Sequence, residues 1–436
     1  MISLIPSRKE NTVTCGYEEK WLALKGELER RTDNADDIIS ALKDYYEIFD
    51  EKTLAWLASL YDSKEGGFYY SVSGRDNDTV TFHTGDDYRL LPDIESTGQA
   101  LTLLTKALVI KERSEIPEIM KRQIEKFVVS RQDKETGFFY HPQWPKEFTN
   151  TSPQRLGRDQ SQAVGLAEDL EFKLPYLTAD ERLEKNLSGE EVECDTLPEF
   201  LLSKNKFLDY LQGLDWVNNA YYSGNLMASL ASCINAAGMT DVAVEYLNSI
   251  QDKETGLWGV LGGYAAINAY LKITGFYCDV NRPIPNADKA AKAVLRCATT
   301  DEEPQTVCWQ YNVWFSLYNI ARNLLSTGSE EERKLVDVIL RDILAEAPSA
   351  IRATKEKVLK FRKSDYSFSY MPNMTACNSQ NMPVAIPGTN EGDVNATIIC
   401  TSGILENIFN AMGIGKFMIP IYSPDAKEKF FSYLNL

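Results

Sequence analysis

Two short stretches of this 436-residue chain place acids where acid/base chemistry could use them. Asp93-Ile94-Glu95-Ser96-Thr97 and Glu391-Gly392-Asp393 each set carboxylates at the expected start of a helix. Asp93 and Asp393 follow Pro92 and Gly392, where an aspartate caps the first free amides, an effect worth ~1 kcal/mol. Glu95 lies two residues further, so it faces a different direction from Asp93. It can complement the helix dipole or act as a general acid or base. The matching position of the last motif is Asn395, which cannot transfer a proton in that way, so Glu95 stands apart from a merely repeated residue. Opposed carboxylates around a cavity are what glycoside hydrolysis requires, at ~5 Å or ~6.5–9.5 Å depending on mechanism. The catalytic candidates are therefore Glu95 with Glu391 or Asp393 opposite, assisted by His83 or His141, the only two histidines. Both histidines fall in loops leading to inner-helix starts, and such loops carry function. Neither has Cys or His at ligand spacing, so no metal is expected, and no cofactor motif is found.

Candidate binding residues surround these acids. Asp93 and Asn395 sit at the same helix starts, and Asp159 follows Arg158 at another, where the two could meet substrate or form a surface pair. Asp215-Trp216-Val217-Asn218-Asn219 and Trp309-Gln310-Tyr311-Asn312 open two further helices. Aromatic plus amide is the composition of a sugar-binding wall and equally of a half-buried helix face; Trp216, Asn219, Trp309 and Tyr311 are its candidates. Trp144, in His141-Pro142-Gln143-Trp144-Pro145, could stack on a ligand or pack under its proline-stiffened loop. Tyr370 begins a long, proline-punctuated segment that runs to Gly392 and reads as a lid.

The elements that must position these residues repeat. The hexapeptide QDKETG occurs at Gln132–Gly137 and at Gln251–Gly256, each time after an aromatic–aliphatic pair and before Phe139 or Trp258. Trp56-Leu57…Tyr61…Gly66-Gly67-Phe68 keeps the same register, and Phe207-Leu208…Gln212…Trp216 is a partial copy. Each copy reads as a helix end, a turn with its glycine in the left-handed region, and an aromatic packing back under the helix. Helices of two classes alternate. A charged, amphipathic class is expected at 51–61, 115–131, 197–211, 240–250, 285–298 and 331–362. An apolar class is expected at 93–111, 159–171, 216–237, 263–273, 305–326 and 393–412. Ser329 with Glu332 is a capping box, and Gly238, Gly275 and Gly413 sit where C-terminal glycines belong. Six outer and six inner helices in alternation predict an all-α (α/α)6 toroid over 51–436, with 1–50 as an N-terminal helical extension.

Composition narrows the partners. Acids outnumber bases 63 to 46, giving a net charge of −17, which disfavours nucleic acid. No run of about 18 apolar residues is found, so no membrane insertion is expected. The start lacks the apolar core of a signal peptide, and the eight cysteines are scattered singly, so a reducing cytoplasm is expected. The acidic stretch 180–199 reads as a solvated loop. P-loop, Rossmann and nucleophile-elbow patterns are missing.

The Gln…Gly-x-aromatic pattern resembles the QW motif of the terpenoid cyclase and protein prenyltransferase superfamily and covers about half the chain. Asp93-Ile94-Glu95-Ser96-Thr97 resembles, in degenerate form, the Asp-x-Asp-Asp-Thr acid motif of class II terpene cyclases. The resemblance implies the toroid and, as one activity, an isoprenoid enzyme with an acid at Glu95. The chain departs from the family at Glu95 and Ser96, and it lacks the Asp, Cys and His set with which prenyltransferases hold zinc. Six-hairpin glycosidases and some polysaccharide lyases share the toroid. The expectation is an enzyme with an acidic, aromatic central cavity acting on a glycan fragment by hydrolysis or elimination, with a small-molecule or oligosaccharide substrate. An isoprenoid enzyme and a non-catalytic scaffold are the rivals.

Overall fold

The computed structural model describes residues 17–187, 198–260 and 262–434. The first half holds α1 (Glu18–Glu29), α2 (Ala35–Tyr46), α3 (Lys52–Ser59), α4 (Val72–Asp76), α5 (Ile94–Lys106), α6 (Glu118–Val129), α7 (Lys146–Asn150), α8 (Pro153–Asp169), α9 (Ala179–Leu187) and α10 (Lys204–Gly213). The second holds α11 (Ala220–Ser229), α12 (Ala231–Ala236), α13 (Thr240–Ile250), α14 (Gly263–Asp279), α15 (Ala287–Ala298), α16 (Val307–Thr327), α17 (Glu330–Val358), α18 (Val394–Ile398), α19 (Ile404–Ala411) and α20 (Ala426–Tyr433). A π-helical turn, Ile399–Gly403, joins α18 to α19. The strands form three antiparallel hairpins: β1–β2 (Tyr61–Asp62 with Gly67–Phe68), β3–β4 (Val80–Thr81 with Asp87–Tyr88) and β5–β6 (Asn378–Ser379 with Met382–Pro383). No helix among the described residues is long and apolar enough to cross a membrane.

The charged class appears as α3, α6, α10, α13, α15 and α17, the apolar class as α5, α8, α11–α12, α14, α16 and α18–α19. Members of the apolar class pack on one another: α11 on α14, α14 on α16, α16 on α19, α18 on α5 and α5 on α8. The charged helices back them, α15 lying on both α16 and α17. The capping box of α17 forms as expected, with Ser329 Oγ accepting from Glu332 N–H and Glu332 Oε2 from Ser329 N–H.

The repeated hexapeptide works as a staple. Gln132 Nε2 donates to Gly137 O and Tyr176 O, while its Oε1 accepts from Tyr176 N–H. Gln251 does the same one copy later, donating to Gly256 O and Pro285 O and accepting from Asn286 Nδ2. The amide thus ties the end of one helix to the chain entering the next. Asp133 and Asp252 close the turns by accepting from the Thr136 and Thr255 N–H and hydroxyl groups. Gly137 and Gly256 adopt φ of 79° and 71°, which a side chain would resist. Trp258 then packs back as expected, its indole donating to Leu247 O.

Five expectations change. The third apolar helix breaks at Leu230 into α11 and α12. Gly275 lies inside α14 rather than at its end. Helix α8 begins at Pro153, well before 159, because Arg155 is buried and its polarity hides the helix from a periodicity reading. The acidic stretch begins as α9, and residues 188–197 lie outside the described residues. Residues 17–50 are more than decoration: Trp21, Tyr45 and Tyr46 are buried in the main core, and α2 packs along α17. Tyr46 donates to Ile419 O at 2.6 Å and Tyr17 to Tyr422 O at 3.0 Å, tying the two ends of the chain together.

Gln251→Ala should lower stability by about 1–3 kcal/mol, because Gly256 O, Pro285 O and Asn286 lose a buried partner. Gln132→Ala should do the same. Urea unfolding of both variants checks this, and a loss within about 0.5 kcal/mol of zero would mean the glutamines are ordinary surface residues.

Candidate functional site

The acid motif lies in a buried ion cluster centred on Arg155. Its guanidinium, wholly buried on α8, reaches Asp93 Oδ1 at 3.0 Å, Glu95 Oε2 at 3.0 Å and Asp159 at 2.9 Å. It also lies over the Trp144 ring, 4.7 Å from the centroid. Burial works against the charge on Arg155, but Asp159, Asp93 and Glu95 outweigh it and hold the guanidinium firmly protonated. Burial likewise pushes Asp159 up, yet Arg155 and His141 hold it below the usual carboxylate range.

Glu95 is saturated with donors. It accepts from Arg155, from Arg158, from Ser379 Oγ at 2.6 Å and from Gln99 Nε2 at 3.2 Å. The same Gln99 amide lies 3.3 Å from Asn395 Oδ1. Asp93 caps α5 by accepting from Ser96 N–H, and Asp393 caps α18 by accepting from Ala396 N–H. The two copies share further bonds. Phe68 and Phe368 N–H donate to the hydroxyls of Thr97 and Thr397, and Asp93 and Asp393 N–H donate to the Phe68 and Phe368 carbonyls. Asp393 also accepts from Tyr370 N–H and Thr375 Oγ1, and burial pushes its carboxyl up to about 6.

Beside this cluster opens a cavity of about 1310 Å³. Its wall comes from α8, α11, α14, α16, the start of α18 and the tip of the β5–β6 hairpin. The polar lining is dominated by amides, among them Asn218, Asn219, Asn268, Asn312 and Asn395. Aromatic faces come from Tyr221, Tyr222, Trp309, Tyr311 and Tyr370. Gln380 and Asn381 join them from the hairpin tip, both in the left-handed region at φ of 50° and 69°. A two-residue turn of that hand normally takes glycine or asparagine, so the glutamine there is held in a strained conformation. The charged lining residues are Arg158 and Lys272. Burial, and then Arg158, lower Lys272 below the ordinary lysine range.

Several expected site residues therefore move. Asn219, Trp309, Tyr311, Tyr370 and Asn395 do share the cavity wall. Glu95 stands one layer behind it, bound to Arg158. Glu391 is turned away and accepts from the backbone and hydroxyl of Ser73. Asp93, Asp159 and Asp393 are buried in structural roles, and Asp159 pairs with Arg155 rather than Arg158. His141 is buried beside Asp159, its Nε2 3.5 Å from Oδ2, and His83 is exposed at the β3–β4 turn, away from the cavity. Trp144 cannot stack on a ligand, because Arg155 covers its ring and its indole donates to Pro383 O. Trp216 is buried with its indole donating to Leu211 O, as the aromatic of the partial repeat. The expected acidic lining is absent: the cavity's described walls hold no Asp or Glu. The segment after Tyr370 folds as the β5–β6 hairpin against a small second core that includes Tyr70, Trp144 and Met382.

Arg155 and Lys272 were not singled out from the sequence. Arg155 stands four residues before Asp159, the spacing of a helical ion pair, and Lys272 is the one charge in the apolar run from Gly263 to Cys278. No known protein family matches the chain, and neither does any curated protein or solved structure.

Arg155→Met removes the buried cation of Asp93 and Asp159 and one of the two that hold Glu95, and should cost about 3–5 kcal/mol at neutral pH. In the native chain Asp159 is held low, so its pairing adds stability above the unfolded carboxylate range and that stability is lost as pH falls through the folded value. Without Arg155 burial prevails, the folded value rises, and stability is instead lost as pH rises. Urea unfolding of both proteins at mildly acidic and neutral pH should show the deficit shrinking on acidification. An equal deficit at both would refute the ion-cluster account.

Proposed function

We propose that the alternating helices close into an (α/α)6 toroid whose central cavity takes a glycan fragment, cleaved by elimination rather than hydrolysis. The run of contacts from α11 through α14, α16, α19–α18 and α5 to α8 supports the ring. So does the resemblance of the repeats to the QW motif of terpenoid cyclases and prenyltransferases. The observation that carries the ligand class is the wall: a continuous surface of amides and aromatic faces with no protein partner filling it. Amides pair with hydroxyls, and tyrosine and tryptophan faces cover the apolar faces of sugar rings. Ordinary small-ligand pockets measure about 300–1,000 Å³, so this cavity has room for several sugar units.

The same wall argues between mechanisms. Hydrolysis by paired carboxylates requires both to face the scissile bond, whereas Glu95, Glu391 and Asp393 are all engaged elsewhere. Elimination needs a base and a cation near the carbonyl group that acidifies the proton, and tyrosines, Lys272 and Arg158 face the cavity. The isoprenoid rival requires an apolar lining, and the amides count against it. A scaffold would not need to keep the wall open. The described cysteines are free, which supports the cytoplasm as the setting.

The test is incubation with acidic and neutral oligosaccharides, read by the ultraviolet absorbance of unsaturated ends and by new reducing ends. Elimination raises both signals and hydrolysis only the second. Thermal shift runs alongside, since a ligand at 100 times its dissociation constant adds ~2.7 kcal/mol. Trp309→Ala and Asn312→Ala should each weaken binding about tenfold, or ~1.4 kcal/mol. Stabilisation by isoprenoid diphosphates, with no response to any sugar, would sink the reading.

A further inference from the structure

We infer that the ligand carries a single carboxylate, as a uronic acid residue does, and that this group seats between Arg158 and Lys272. The inference rests on the glycan reading and names the substrate class within it. Arg158 on α8 and Lys272 on α14 approach the same space from two helices of the cavity wall. Both line one cavity, and burial, then Arg158, lowers Lys272 there. Lys272 Nζ stands over the Tyr221 ring, 5.5 Å from its centroid, and Cys308 lies against the Tyr370 hydroxyl at 3.5 Å. Two cations thus line one cavity together with Tyr221 and Tyr370.

The pocket holds an unanswered charge. Arg158 is paired on one side with Glu95, whereas Lys272, half-buried, has no acidic partner among the described residues. This occurs in a chain whose acids outnumber its bases 63 to 46, so an acid beside Lys272 would have been the ordinary outcome. Holding like charges together while withholding their counter-ion raises the energy of the empty site, and an anion entering it relieves both desolvation and repulsion.

The number of charges selects the anion. One cation is open, and one carboxylate answers it. A diphosphate brings more negative charge than Lys272 can meet. It would also approach the ion cluster behind Arg158, where three carboxylates face two guanidiniums. Tyr221 and Tyr222, both exposed at the cavity mouth, offer faces for the sugar ring that bears the acid.

Isothermal calorimetry with trimers of galacturonate, mannuronate and glucuronate, each beside its methyl ester, tests the inference. Acid and ester share shape and hydroxyls and differ in the charge. At least one acid trimer should bind about tenfold more tightly than its ester at low salt. Lys272→Met should abolish that preference, while Lys272→Arg should keep it. Lys272→Met removes an unpaired, partly desolvated charge, so it should melt no lower than the native chain. Equal binding of acid and ester, or a preference that survives Lys272→Met, overturns the carboxylate seat while the glycan reading stands. If neither acids nor esters bind, the glycan reading falls and the seat with it. Tight binding of pyrophosphate that depends on Lys272 would overturn the single-carboxylate assignment.

Discussion

One buried guanidinium holds together the elements beside the cavity. Arg155 gathers Asp93 and Glu95 from the start of α5 and Asp159 from its own helix, and it lies on the ring of Trp144. A buried cation of this kind is tolerated only because its donors all find acceptors, and the acids in turn are tolerated only because of it. The arrangement sets α8 against α5. It also places Arg158, one turn on, at the cavity wall with Glu95 behind it. Ser379 binds the same carboxylate, so the β5–β6 hairpin is moored to the cluster and its tip is carried onto the wall.

Around that centre the fold is built by repetition. Gln132 and Gln251 staple successive helices by matching donor bonds to backbone carbonyls, and Thr97 and Thr397 brace the aromatic residue of their own copies. The first and last copies meet directly: Ser71 pairs with Asp393, and Val394 N–H donates to Tyr70 O. Local physics repeated along the chain therefore also joins its distant parts. The repetition fails beside the cavity. Glu95 and Asn395 occupy the same motif position with different chemistry, and the π turn at Ile399–Gly403 interrupts one inner helix beside the cavity. Insertions of this kind recur at functional sites because they re-aim side chains without breaking the helix.

Much of this was legible in residue order, and the failures have identifiable causes. The alternation of helix classes emerged because apolar periodicity and turn chemistry are local. One repeat copy escaped notice: Phe361…Asp365-Tyr366-Ser367-Phe368 matches Tyr61…Gly66-Gly67-Phe68, but Tyr366 holds the left-handed conformation, φ 64°, where the other copy has glycine. The start of α8 was hidden because Arg155 reads as solvent-facing until its three acids are seen around it. Trp144 and Trp216 were open either to ligand contact or to packing, and both indoles satisfy carbonyls inside the protein.

Residue order alone established the helical classes, the turns, the caps at Asp93 and Asp393, and the family of aromatic and amide side chains from which a sugar-binding wall could be made. These depend on neighbours a few positions apart, so spacing suffices to infer them. Which acids face the cavity was decided only in three dimensions, because a carboxylate's role depends on which distant cations and amides close around it. Glu95, Glu391 and Asp393 are each engaged by partners inside the protein and do not line the cavity. The wall was left to amides, tyrosines, Arg158 and Lys272, brought together from helices far apart in the chain.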